Sequence, residues 1–300
     1  MTESTHPYHQ KHHRLIIISF ALYLVVMTIL LAWQGVGFSA DRYAFVLLLI
    51  ALLIKRTRQF VLDWIPFLFI LISYDFLRQF AGLLGPRVHF YELLNLEKFI
   101  FGGAIPSQWL QARFYIPGTI YWYDLIATAF YFFHFALPLA FGFLLWMDNK
   151  FKFRQFVVGI TLLSYAAWIT YIIYPAAPPW MASEKGFTSG IFKILYDVLT
   201  LLPKRLDAAT LYNNANSNPV ASIPSIHAAW TTMVLLFSVS FYKWKGLIFL
   251  PYAIILWLSL VYLGEHYVVD VALGMIYATI FFLLAKKLAS EVKFLHGQAR

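Results

Sequence analysis

The chain has 300 residues, of which 61% are hydrophobic and 12% charged. A soluble domain is nearer half apolar and a quarter charged, so an ordinary soluble fold is excluded. The formal charge of +9 lies in short runs between apolar blocks, with no nucleic-acid motif, and cysteine is absent. That excludes a nucleic-acid partner, disulfides, thiolate metal sites and thiol nucleophiles.

The N-terminus opens on a basic lead, Lys11 to Arg14, and an apolar run from Leu15 to Trp33. The run is too long for a signal-peptide core and no small-x-small site comes after it, so it reads as an uncleaved first span. His6, His9, His12 and His13 in the lead read as a basic tail rather than a metal site. The apolar blocks give eight spans: 15–34, 42–54, 61–80, 121–147, 155–174, 223–241, 246–264 and 266–286. The second is short for a span, which needs about 20 residues.

Basic residues set the orientation. With the N-terminus inside, every short inside segment is basic: Lys55, Arg56 and Arg58; Lys150, Lys152 and Arg154; Lys243 and Lys245; Lys286 and Lys287. Both termini are then cytoplasmic. Two long segments, 81–120 and 175–222, fall outside. In the first, Leu93 to Phe101 reads as a helix on the membrane surface, with Glu97 and Lys98 on its polar side. Pro106 and Pro117 are expected to break the segment after it. In the second, Tyr174-Pro175-Ala176-Ala177-Pro178-Pro179-Trp180 ends the fifth span, and Trp180 suits headgroup depth. Asn213 to Asn218 is a turn-rich polar stretch. Long irregular loops of this kind usually carry function.

Two constellations carry chemistry. Ser222-Ile223-Pro224-Ser225-Ile226-His227 marks the start of the sixth span. Pro224 suits a first helical turn, Ser222 or Ser225 can cap it, and a helix start binds phosphate through its unpaired amides. His227 lies beside any anion bound there. His266-Tyr267-Val268-Val269-Asp270 opens the last span. An i, i+4 spacing puts both side chains on one helix face, where Asp270 accepts the Nδ1–H of His266 and leaves Nε2 as a nucleophile. A charge inside an apolar span costs about 2.5–3.5 kcal/mol on insertion scales, so Asp270 reads as functional. The sixth and eighth spans run the same way, which brings His227 and His266 to one membrane face. His134, mid-span near Tyr131, reads as a neutral histidine bonded within the bundle. No P-loop, His-Glu-x-x-His or other metal-ligand set is present, so neither cofactor nor metal is expected.

Pro-Ser-x-His followed by His-x-x-x-Asp resembles the type 2 phosphatidic acid phosphatase superfamily. Ser222 to Ala228, Tyr262 to Asp270 and Tyr174 to Trp180 are similar to its inositol phosphorylceramide synthase branch. Trp122-Tyr123-Asp124 and Tyr131-x-x-His134 match more loosely. The general superfamily carries Lys-x6-Arg-Pro before the active-site loop, yet Ala167 to Trp180 contains no Lys or Arg. Its Ser-Arg before the last histidine reads Ser259-Leu260 here, and the Gly of Pro-Ser-Gly-His is Ile226. These departures point to the lipid transferase branch. Arg78, Arg87, Lys98, Arg113, Lys204 and Arg205 are the outside cations that could replace the missing ones. Arg78 could equally pair with Asp75, and Arg113 could be an interfacial anchor.

The resemblance implies an all-α polytopic membrane bundle of about eight spans. The N-terminal spans would occupy 1–120, the catalytic core 121–288 and a cytoplasmic tail 289–300. It implies a lipid phosphotransferase, transferring a head group or inositol phosphate, with a phosphohistidine on His266. His227 would be acid and base and Asp270 the orienter, with Ser225, Arg78, Arg113 and Trp180 at the substrate. A lipid phosphatase acting on polyprenyl (di)phosphate or phosphatidate would need the same residues. The alternative of another class is a transporter, against which stands the lack of an inverted repeat. The expected partners are a lipid phosphate and the bilayer.

Overall fold

The computed structural model describes residues 63–65, 67–69, 73, 88–200 and 219–298. The spans expected at 15–34 and 42–54, most of 61–80, and Arg78, Arg87, Lys204, Arg205 and 213–218 lie outside the described residues. From residue 88 on, ten helical elements are assigned among the described residues. They are α1 (Tyr91–Ile100), α2 (Pro106–Phe114), α3 (Trp122–Asp148), α4 (Lys150–Ile173), α5 (Pro179–Glu184), α6 (Ile194–Thr200), α7 (Ile226–Tyr242), a 3-10 segment (Lys243–Phe249), α8 (Leu250–Tyr262) and α9 (Val268–Gln298). Among the described residues there is no strand, only isolated bridges, two of which tie Ala176 to His89 and to Ala221 and the third Ile116 to Thr119.

Among the described residues, four stretches are long and apolar enough to cross a membrane: Trp122–Asp148, Lys150–Ile173, Ile226–Tyr262 and Val268–Glu291. The third is bent into a hairpin. Lys243 breaks it with φ 57°, and a Cβ on Gly246 would fall 2.3 Å from the carbonyl carbon of Ser238. Eight residues apart on a straight helix would be about 12 Å apart, so the chain must double back. Ala228 at the start of α7 accordingly shares a core with Leu256 and Leu260 of α8.

The turn between α3 and α4 is a single capping residue. Asn149 accepts the amides of Phe151 at 2.8 Å and Lys152 at 3.2 Å, so α4 begins at once. Helix α4 thus starts five residues earlier than the hydropathy alone suggests, because its first turn is basic and sits at the bundle end. Pro106, expected to break structure, instead opens α2 at the first helical position, where its missing N–H costs nothing.

Helix α7 packs against α9, α3, α4 and α8. Phe141, Phe156, Leu163, Met233 and Phe237 are fully buried in the main core. Lipid tails are as apolar as these side chains, so close packing rather than water exclusion holds such helices together. Gly274 shows how close: a Cβ there would fall 2.4 Å from the carbonyl oxygen of Ser225. Helix α9 therefore crosses the start of α7 in van der Waals contact. At the other end of the bundle, Asp148 accepts from Tyr242 at 2.9 Å and pairs with Lys152 at 2.7 Å. Lys286 there reaches Ser240 at 2.9 Å.

Candidate active site

Helix α7 begins on a local cap. Ser225 is fully buried, and its hydroxyl oxygen accepts the amide of Ala228 at 3.3 Å. Its own amide donates to the carbonyl of Asp270 at 3.0 Å, which stitches the starts of α7 and α9 together. Pro224 stands one residue ahead of the cap, after a cis peptide bond, rather than inside the first turn. Its carbonyl accepts from the Tyr171 hydroxyl at 2.7 Å, anchoring the loop to α4.

This arrangement puts His227 in the first turn of α7, half-buried, with its Nδ1 3.1 Å from Nε2 of His266. His266 is 4% exposed. It does not share a helical face with Asp270, because α9 begins only at Val268. Its Nδ1 lies 2.9 Å from the carbonyl of Ser222 and 3.6 Å from Oδ2 of Asp270. The i, i+4 helical bond expected from spacing is thus replaced by a backbone acceptor, with the carboxylate in the next position. The reason is that the chain turns between Gly264 and Tyr267 before becoming helical.

The tautomer is set by these partners. A carbonyl can only accept, so Nδ1 of His266 carries the proton and Nε2 is left with its lone pair. His227 then donates from Nδ1 to that lone pair. Asp270 is fully buried, and its Oδ2 accepts from the Ser222 hydroxyl at 2.5 Å and the Tyr267 amide at 2.9 Å. The carboxylate fixes the segments on both sides of His266 while lying within reach of its ring.

His134 also reaches this site. It is 1% exposed, bonds the Tyr131 carbonyl through Nδ1, and its ring centroid is 4.0 Å from that of His227. Tyr131 flanks His227 at 4.6 Å. Pro138 removes the helical amide partner of the His134 carbonyl.

Of the remaining expected site residues, Arg113 and Trp180 are described. Arg113 is exposed, with its guanidinium 3.8 Å over the Trp109 ring and Nη1 3.3 Å from the Trp109 carbonyl. Trp180 opens α5, and its amide donates to Gly264 at 3.1 Å, just ahead of His266. Arg78 lies outside the described residues.

Three residues are not evident as site components from sequence alone. Ser222 reads there only as a cap, yet its carbonyl orients His266. Lys193 sits 4.3 Å over the Trp180 ring. Burial holds its ammonium below the usual lysine range, while Glu265 and Glu184 act in the other direction. Glu97, expected on the wet side of a surface helix, is fully buried and reaches α9. The spacing of Leu93, Leu94 and Glu97 on one face is the available signal. Among the described residues, no group of three or more His, Cys, Asp or Glu is disposed to hold a metal ion.

The chain is similar to known proteins over much of its length. The PAP2 superfamily model matches residues 92–284. Phosphoinositol dihydroceramide synthase of Bacteroides thetaiotaomicron is 26% identical over 283 residues, 88% of each chain. The inositol phosphorylceramide synthase catalytic subunit aur1 of Schizosaccharomyces pombe is 27% identical over 260 residues, 81% of this chain and 57% of that one. The AUR1 subunit of Saccharomyces cerevisiae is 33% identical over 120 residues, 38% of this chain and 29% of that one. The chain thus spans only part of the length of the two yeast proteins. No solved structure matches it. A family match over more than half of the chain, encompassing both histidines and the aspartate, means that this integral membrane protein belongs to the PAP2 superfamily, on the side of its inositol phosphorylceramide synthase branch.

Proposed function

We propose that the chain transfers an inositol phosphate between membrane lipids through a phosphohistidine on His266, with a ceramide-type hydroxyl as acceptor. The observation that carries this is the His266 ring itself. Its Nδ1 is bonded to the Ser222 carbonyl and its Nε2 is turned toward His227, at the end of a bundle of apolar helices. The named activities of the relatives supply the substrate class.

In the first step Nε2 of His266 attacks the phosphorus of the donor lipid. The bond from phosphorus to the glyceride oxygen breaks, and His227, entering the step as an imidazolium, protonates that oxygen and is left as the neutral imidazole. The inositol phosphate stays on His266 as a phosphoramidate. In the second step His227 takes the proton from the acceptor hydroxyl, whose oxygen attacks phosphorus and releases His266. His266 becomes cationic at the transition states, and Asp270, 3.6 Å from Nδ1, stabilises that charge. In-line displacement puts the leaving oxygen opposite Nε2, so the contact between the two imidazoles must open when the phosphoryl group enters. Ser225 acts by ordering the α7 amides, which face the phosphate as a helix start does. No step calls for a metal ion.

Positive-inside loops support an eight-span arrangement with this end of the bundle extracytoplasmic or lumenal. If water replaced the acceptor, the same residues would make a lipid phosphatase. The deciding experiment is reconstitution of the purified protein in vesicles with phosphatidylinositol and dihydroceramide, read by mass spectrometry. Formation of inositol phosphoryl dihydroceramide, lost in His266→Ala, is the expected result. Free inositol phosphate with no transfer product would replace the transferase with a phosphatase.

A further inference from the structure

The first amides of α9 are held from far away in sequence. Oε1 of Glu97 accepts the amide of Val268 at 3.0 Å, and Oε2 accepts that of Val269 at 3.2 Å. Glu97 is fully buried on α1, beside Leu93 and Leu94, and these two leucines pack with Tyr267 in one apolar cluster. The outer side of α1 is apolar and exposed: Leu96 44%, Phe99 84% and Ile100 53%. Helix α9 has no Ser, Thr, Asp or Asn ahead of its first turn to cap it. Its start falls between His266 and Asp270.

We propose that Glu97 is a positioning residue for the catalytic turn, a carboxylate that occupies the start of α9 so that His266 and Asp270 are held for the reaction. The proposal rests on the phosphohistidine function of His266. The hydrogen bonds have two consequences. First, with Val268 and Val269 satisfied, Asp270 keeps Oδ2 for Tyr267, Ser222 and the His266 ring. Without Glu97 the orphan amides would compete for that oxygen. Second, two helix starts converge at this site, and each is a ready anion site. A carboxylate already seated at α9 leaves α7 as the start that meets the substrate phosphate. Burial raises the Glu97 carboxyl above the ordinary glutamate range, and the nearby Asp270 acts in the same direction. The two helix amides oppose that shift, as an anion-holding cap should.

The test compares Glu97→Ala, Glu97→Gln and the packing control Leu94→Ala in vesicles, with His266→Ala alongside. The expected result for Glu97→Ala is a kcat lowered on the order of 10²-fold, as for a reacting group displaced by about 1 Å. KM should stay within about twofold, because Glu97 does not touch the substrate. Formate, which fits the vacated space and bonds both amides, should restore part of the lost kcat. Glu97→Gln keeps its bulk and one acceptor oxygen, so it should lose less kcat and gain nothing from formate. Leu94→Ala should lower thermal stability with kcat near wild type. Hydrogen exchange at 264–272, which needs no turnover, should quicken in Glu97→Ala and slow again with formate. A folded Glu97→Ala or Glu97→Gln protein with kcat within about threefold of wild type overturns the proposal. So does a raised KM at unchanged kcat. Turnover persisting in His266→Ala would instead sink the phosphohistidine function, and so is distinguishable from either.

Discussion

Nδ1 of His227 stands 3.1 Å from Nε2 of His266, a hydrogen bond between the two groups to which the proposed reaction assigns opposite sides of one phosphorus. The contact holds Nδ1 of His227 against Nε2 of His266 and so covers the proposed nucleophile. In the proposed reaction a phosphoryl group replaces it on binding, so the free energy of substrate binding would open the pair only when there is something to transfer. Water meets a nucleophile that is already hydrogen-bonded.

Removing His266 should abolish turnover, because the neighbouring imidazole, His227, is needed for the proton transfers of the proposed reaction. Its orientation is divided between two groups, and their variants should separate. Asp270→Asn should lower kcat by about 10²–10⁴-fold, as loss of a triad carboxylate does. Ser222→Ala deletes the hydroxyl bonded to Asp270 but keeps the carbonyl that holds Nδ1. Its kcat should fall by only about tenfold or less, in line with one lost hydrogen bond. Steady-state kinetics of both proteins in one vesicle assay decide this. Equal losses would mean that the carbonyl is not the orienting acceptor.

Gly274 tests the crossing of α7 and α9. A Cβ there would meet the Ser225 carbonyl oxygen at 2.4 Å, a backbone atom that cannot rotate aside. Gly274→Ala should therefore cost about 1–3 kcal/mol of stability through overpacking. It should also lower activity, since Ser225 caps the helix that carries His227. Gly142→Ala is the matched control, because its nearest neighbour would be the Phe156 ring at 3.6 Å, ordinary contact. Thermal unfolding of the detergent-solubilised variants should separate the two. A Gly274→Ala protein as stable and active as Gly142→Ala would show that the helices can move apart.

The features legible in the sequence are local ones. His227 and His266 each stand at the start of an apolar helix, and parallel helices carry their starts to one face. Asp270 stands out because a charge in an apolar run needs a reason. The acceptor of the His266 Nδ1–H is not legible. It is a backbone carbonyl at residue 222, placed by the amide of Ser222 bonding Ala176 at 3.3 Å and by the amide of Ala176 bonding Val220 at 2.8 Å. No side-chain pattern encodes which way a loop carbonyl points. Glu97 is hidden for a related reason. Its partners lie 171 and 172 positions away, and an isolated helix with one glutamate reads as amphipathic whichever way that glutamate faces.

Chemistry by two imidazoles, a carboxylate and helix-start amides needs no ion, so activity should persist in excess EDTA. Turnover should be measured after chelation and gel filtration, then after adding back Mg²⁺, Mn²⁺, Zn²⁺ or Ca²⁺. Complete loss restored by one of these ions would require a metal in the mechanism and a different account of the phosphate's charge partner.

The last prediction concerns sidedness. The two ends of the bundle differ in kind. One gathers His227, His266 and the loop from Pro175 to Ser222, while the other carries Lys150, Lys152, Lys243, Lys245 and Lys286 close to the helix termini. Short basic loops are retained in the cytoplasm during insertion, so the expected place of the histidine end is the outer or lumenal half. A lipid phosphate at headgroup depth then reaches the site from that leaflet with its tails still between helices. The native chain has no cysteine, so single engineered thiols report position without background. Lys185 comes directly after α5 beside the histidine end, and Lys245 lies in the turn of the α7–α8 hairpin; both are exposed. In right-side-out vesicles, Lys185→Cys should react with an impermeant maleimide, and Lys245→Cys should react only after permeabilisation. The reverse pattern would place the two histidines at the cytoplasmic face, and the substrate lipid with them.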